Sequence, residues 1–110
     1  MGSKPDSYYI QKALEEINQI IEYTINLQFE EFIGDKKTID ATMFRLQQMI
    51  EAIKSISKEY KENHSEIPWG EIIGLRNRIV HEYGKIDYTT VFETIDRDIY
   101  ELKDLFEASL

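Results

Sequence analysis

The sequence predicts an all-α fold, an antiparallel bundle of four to five helices. Three observations lead there. Apolar residues recur at three- and four-residue spacing along most of the 110-residue chain, the period of one helix face. Gly and Pro number only 5 and 2, so helix-breaking positions are few. The stretches between the apolar stripes are short, which joins neighbouring helices antiparallel. No internal repeat and no low-complexity segment interrupts the pattern, so residues 1–110 read as a single domain. Residues 1–6 read as a flexible N-terminus.

The first helix is expected to start near Asp6 or Ser7, either of which can cap it, just after Pro5. Ile10, Ala13, Leu14, Ile17, Ile20, Ile21 and Thr24 make its buried face. It runs to about Leu27, with an added turn at Phe29–Ile33 before Gly34-Asp35. Thr38 or Asp40 can cap the second helix. Its stripe, Ile39, Met43, Leu46, Ile50 and Ile53, steps like a coiled-coil seam widened by Met49, Ala52 and Ile56. This helix should continue to about Tyr60, followed by the polar loop Lys61–Glu66, where His64 is expected to be merely solvated. The third opens at Pro68, a first-turn residue, and runs to about Tyr83, stopping near Gly84. The fourth follows Asp87, a good cap, and buries Val91, Ile95, Ile99, Leu102 and Phe106.

The composition narrows the functional classes. A hydrophobic fraction of 42% supports a core, but a chain this short leaves much surface exposed, and pairing with a second copy would help. Cys is absent, which removes disulfides, thiolate–zinc sites and thiol nucleophiles and fits a reducing, cytoplasmic setting. No apolar run approaches the ~20 residues of a membrane span, and no secretory signal peptide precedes the first helix. The net charge of −8 argues against a protein that coats nucleic acid non-specifically. It leaves room for an enzyme with a local basic cluster, and Arg76, Arg78 and Lys85 form one. Two His residues, neither in an H-E-x-x-H arrangement, disfavour metal hydrolysis. No phosphate-cradling Gly loop, Ser-His-Asp set or dinucleotide fingerprint is present, so no metal and no cofactor is expected.

The third helix breaks its own pattern. Trp69, Ile72, Ile73, Ile79 and Val80 share a face, and Arg76 falls in the middle of it. An unpaired charge buried there would cost several kcal/mol. Arg76 therefore needs a partner, for which Glu51 on the second helix is the candidate, or an opening to solvent, or a bound anion. It can also be a structural Arg whose head reaches the rim of the core. Gly70, Gly74, Asn77 and His81 lie along another face. Two glycines inside a helix, each costing roughly 1 kcal/mol against Ala, suggest close approach by a neighbouring helix, a second copy or a ligand. His81 can be a plain surface His near a helix end, or it can work with Asn77 one turn away. On an ideal helix Arg76 and His81 diverge by roughly 140°. A site using both is then best built across a two-fold axis between two copies, where each residue appears twice.

Arg76-x4-His81-x-Tyr83 resembles the R-x4-H-x-Y signature of HepT-like toxins, a branch of the HEPN superfamily. Ile67-Pro68-Trp69 followed by Ile72-Ile73-Gly74-Leu75-Arg76-Asn77 is similar to that family's approach to the motif. Phe32 to Asp35, Glu51-Ala52, Asp87 and the final amphipathic helix fit as well. Ile50 departs from the pattern, standing where many relatives carry Gly. The resemblance implies a dimeric bundle with a cleft between the two motif helices and metal-independent cleavage of RNA. It also implies a partner antitoxin, an MntA-type minimal nucleotidyltransferase that blocks the toxin by attaching AMP to Tyr83.

In such an enzyme the ribose 2′-hydroxyl is the nucleophile. His81 would act as general base or acid, since an ordinary imidazole titrates near ~6.5. Arg76 would stabilise the charge that builds on phosphorus, with Asn77, Arg78 and Glu51 supporting the phosphate or the catalytic pair. Two other readings stay open. One is a non-catalytic helical module that holds a nucleotide or RNA end for a nucleotidyltransferase. The other is a plain helical interaction domain with a structural Arg76.

Overall fold

The computed structural model describes residues 4–81 and 84–110. Its regular structure is helical: α1 (Asp6–Thr24), α2 (Phe29–Ile33), α3 (Lys36–Lys54), α4 (Lys58–Asn63), α5 (Trp69–Ile73), α6 (Leu75–Ile79), α7 (Tyr88–Glu93) and α8 (Ile99–Ser109). A wider, π-type turn over Thr94–Asp98 joins α7 to α8 without a break. The chain is thus the all-α bundle its periodicity predicts.

The core is made from the predicted stripes. Ile10, Ala13, Ile17 and Ile20 of α1 meet Leu46, Met49 and Ile53 of α3, all but closed to solvent. These two helices form the most extensive pairing in the molecule. Their antiparallel register is pinned at both ends. At one end Asp6 accepts from the Ser57 backbone N–H at 2.8 Å and from its hydroxyl at 2.7 Å. Nearer the other, Arg45 donates to Glu16 Oε1 at 3.0 Å and to the Tyr23 hydroxyl at 3.3 Å. Glu16 is a buried carboxylate, and a charge withdrawn from water requires such a partner. The Tyr23 hydroxyl and Glu16 together hold the Arg45 guanidinium more firmly in its charged form than usual.

Several boundaries differ from the sequence reading, each for a local reason. Asp6 does not cap α1. It is the first helical residue after Pro5, and its carboxylate is spent on Ser57. Asp35, not Thr38 or Asp40, caps α3, accepting from the Thr38 N–H at 3.1 Å and its hydroxyl at 2.7 Å. The second predicted helix stops at Lys54 rather than Tyr60. Ile56 turns into the core, and Ser57 caps the separate α4 through the Tyr60 N–H. His64 is not simply solvated: its ring stacks on Tyr60 at 4.0 Å and its Nδ1 lies 2.9 Å from the Tyr60 carbonyl.

The C-terminal stripe shows why α7 and α8 are joined by a widened turn. Val91, Ile95 and Ile99 are spaced four apart, so on a regular helix they overshoot one face by about 80°. The widened turn over Thr94–Asp98 absorbs that drift, and all three, with Leu102 and Phe106, are buried.

The Asp35 cap gives a pH test. Its hydrogen bonds from the Thr38 hydroxyl first, and then the Thr38 N–H, hold its carboxyl below the ordinary value. A carboxyl depressed in the folded state stabilises above its unfolded pKa of ~3.9, and that stabilisation is lost as pH falls through the folded value. Asn caps nearly as well but does not titrate. The melting-temperature advantage of the natural protein over Asp35→Asn should therefore be constant above about pH 5 and shrink progressively below about pH 4.

Candidate functional site

The predicted third helix is two short helices and an extended end. α5 starts from Pro68, and its Trp69 anchors the segment: the indole N–H donates to the carbonyls of Lys61 and His64 at 3.1 and 3.0 Å, and the ring leans on Phe106. Gly74 ends α5 and begins α6. A Cβ at Gly74 would sit 3.2 Å from the Gly70 carbonyl, whereas one at Gly70 would meet nothing within 4 Å. Of the two glycines, only Gly74 has a close neighbour within the described residues. α6 ends at Ile79, and Val80 is already extended at φ −104°, ψ 111°. His81 therefore lies beyond the helix, and the angular separation expected from a continuous helix through residue 81 does not apply.

A tight return replaces the expected last turn. Val80 forms an antiparallel bridge with Ile86. The His81 N–H donates to the Lys85 carbonyl at 2.7 Å, and Asp87 N–H to the Ile79 carbonyl at 2.7 Å. Gly84 sits in the return at φ +72°, a conformation that favours glycine, and its N–H donates to the His81 carbonyl at 3.1 Å. Asp87 then caps α7, accepting from the Thr90 N–H at 3.0 Å and its hydroxyl at 2.8 Å.

This return brings Asp87 to His81, a pairing the linear sequence does not display. Asp87 Oδ2 lies 3.4 Å from His81 Nε2. The Thr90 N–H, then its hydroxyl, then His81 hold the Asp87 carboxyl below the usual carboxylate range, so it is ionised at neutral pH. The His81 side chain remains 56% exposed, open to a ligand while tethered on one side.

Arg76, Asn77 and Arg78 are all exposed on α6. Arg76 flanks a small cavity of about 50 Å³ with Met43, Leu46, Gln47 and Ile50 of α3. Among the described residues it has no ion-pair partner. The expected Glu51 contact is not made: Glu51 accepts from Gln47 at 3.1 Å and pairs with Lys54 at 3.7 Å. Of the three ways to accommodate Arg76, the fold takes the opening to solvent. Arg78 points to the other flank, where it lines a cleft of about 130 Å³ with Glu71, Asp98 and Glu101. The fold thus places Arg76, Asn77 and His81 on one short segment and sets Arg78 and Glu51 apart. Tyr83 lies outside the described residues.

An all-helical bundle that presents an Arg-Asn pair from a short helix and a tethered His just beyond it fits the HEPN-like arrangement that the sequence resembles. The comparison with known proteins narrows this further: residues 13–109 match the family described as ribonuclease HepT-like, and the chain belongs to that family. It is 37% identical to a "putative RNase" of Caldanaerobacter subterraneus subsp. tengcongensis, over 86% of this chain and 85% of the relative. It is equally similar, at 37%, to the "probable ribonuclease HepT" of Thermococcus cleftensis, over 90% of each chain. A "putative RNase" of Methanocaldococcus jannaschii is also 37% identical, over 90% of this chain and 82% of the relative. No solved structure gives a significant match. No helix among the described residues is long and apolar enough to cross a membrane.

Proposed function

We propose that the protein is an endoribonuclease toxin that cleaves RNA without a metal ion, acting as a homodimer in the cytoplasm. The observation that carries this reading is the solvent-open Arg76 and His81 edge. An Arg with no counter-ion among the described residues is available to an external anion, and an exposed imidazole tethered on one side is available to a proton. In a chain of net charge −8, a locally basic edge selects a phosphate bound at that point over general coating of nucleic acid. Membership of the ribonuclease HepT-like family supports the same chemistry.

The reaction needs no protein nucleophile. The imidazole of one His81 takes the proton from the ribose 2′-oxygen, which attacks phosphorus. The new O2′–P bond forms as the P–O5′ bond breaks, and the 5′-oxygen leaves with a proton from the second copy's imidazolium. The products are a 2′,3′-cyclic phosphate and a 5′-hydroxyl. Arg76 offers its planar fork to the non-bridging oxygens as charge accumulates, and Asn77 orients the phosphate. Arg78, on the opposite flank, contributes to holding the RNA further along, and Glu51 holds Gln47 at the cavity that Arg76 flanks. AMP attached to Tyr83 by a partner minimal nucleotidyltransferase would add bulk and negative charge two residues along the chain from His81, and so block the toxin.

The test is incubation of the purified protein with total RNA, and separately with DNA of matching sequence, in excess chelator. The expected result is RNA fragments ending in cyclic phosphate and untouched DNA. Intact RNA, or cleavage of both polymers, would contradict the proposal.

A further inference from the structure

We propose that Asp87 is the positioning residue of His81: it commits the neutral imidazole to the Nε2–H form and leaves the Nδ1 lone pair to accept the proton from the ribose hydroxyl. This inference rests on the reading of His81 as an acid–base group given above. The argument begins with Asp87 itself. Its carboxylate is fixed from three directions. The Thr90 N–H and hydroxyl bind it at 3.0 and 2.8 Å, and its own N–H is tied to the Ile79 carbonyl at 2.7 Å. An ionised carboxylate only accepts hydrogen bonds. The imidazole nitrogen 3.4 Å from Oδ2 is Nε2, so that nitrogen must carry the hydrogen. A neutral imidazole has one N–H, and Nδ1 is then the free base. The contact is long, as such contacts often are before substrate binds, and it shortens when the imidazole becomes charged.

The arrangement is built by the chain path rather than by the flexible side chains. The His81 N–H donates to the Lys85 carbonyl, and the Val80–Ile86 bridge closes the return. Together they set the Cα of residue 81 beside the start of α7. The residue that caps α7 is therefore also the residue that faces the imidazole, so one carboxylate couples the helix start to the ring.

Asp87→Asn separates the two roles. Asn is as good an N-cap as Asp, so a merely structural role would leave activity unchanged. The amide, however, can offer the ring either a donor or an acceptor and no longer selects one tautomer. We expect kcat on RNA to fall at least ~10-fold, part of the ~10²–10⁴-fold that general acid–base catalysis supplies, with KM unchanged. Asp87→Ser, which also caps but is too short to reach the ring, should lose activity similarly and serves if the Asn variant folds poorly. The direct readout is the ¹⁵N spectrum of the His81 imidazole above its titration. The natural protein should show the Nε2–H form, and the Asn variant a mixture with Nδ1–H. An Nδ1–H form in the natural protein, or unchanged spectra and kcat in the variants, would overturn the proposal. The spectrum needs no RNA, so it reads the tautomer even if the protein proves not to cleave RNA.

Discussion

Replacing His81 with alanine is expected to remove RNA cleavage, a loss on the order of 10²–10⁴-fold, while the melting temperature and helix content stay at their natural values. The expectation of intact folding comes from what His81 touches. Its side chain is mostly exposed, and Asp87 is its one side-chain hydrogen-bond partner among the described residues. Its backbone N–H bond to Lys85 survives in alanine. Little covered area is lost from a side chain that is 56% exposed, and surface changes of this kind stay within roughly 0.5 kcal/mol. A loss of cleavage with an unchanged melting curve assigns the chemistry to the imidazole. Retained cleavage would favour the reading of the cleft as a holding site for a nucleotide or RNA end.

The second large effect is expected from Arg76→Ala. A donor aimed at charge that exists only in the transition state is worth about 10²–10³-fold in kcat, and Arg76 is the cation best placed for it. Arg76→Lys should recover little of this, because an ammonium supplies a point charge in place of the planar fork. Stability is again diagnostic. A structural Arg that holds the bundle together would destabilise the protein on removal. An Arg that faces solvent, with no ion pair among the described residues, leaves stability within about 0.5 kcal/mol. Rate assays and thermal melts on the two variants decide between these roles.

Which parts of the molecule were readable from the residues follows from the range of the forces involved. The stripe from Ile10 to Ile20, the seam from Ile39 to Ile53 and the run from Val91 to Phe106 are buried as their spacing predicts, with Met43 of the seam half-buried. Hydrophobic periodicity is local and repeats along each element, so many residues vote for the same answer. Asp87 as a cap was equally legible, because capping depends on the next three residues. Its contact with His81 was not. That contact depends on where the return through Gly84 sends the chain, and a single bridge between Val80 and Ile86 decides it.

The end of α6 at Ile79 is a similar case. Nothing in Leu75-Arg76-Asn77-Arg78-Ile79-Val80-His81 forbids helix. The backbone bonds from His81 to Lys85 and from Asp87 to Ile79 compete with the next helical turn and prevail. His64 and Glu51 depart from expectation for a different reason. Their partners, the Tyr60 ring and the Gln47 and Lys54 side chains, lie within four residues, but several such local pairings were available and packing selected among them. The conflict on the third stripe, where Arg76 interrupts apolar positions, was visible from the start. It marked the candidate site because an element that breaks its own pattern often does so where function requires it.

The central claim is that Arg76 of one copy and His81 of the other act on the same phosphodiester. Mixing the Arg76→Ala and His81→Ala proteins, after brief unfolding and refolding together, tests this most directly. Each variant alone should be inactive. In a mixed dimer one natural Arg and one natural His remain; if they meet across the two-fold axis, RNA cleavage rises above that of either variant alone, yet stays below the natural rate because water must protonate the leaving oxygen in place of the second imidazolium. A refolded mixture that forms dimers yet stays as inactive as either variant alone would contradict the shared site.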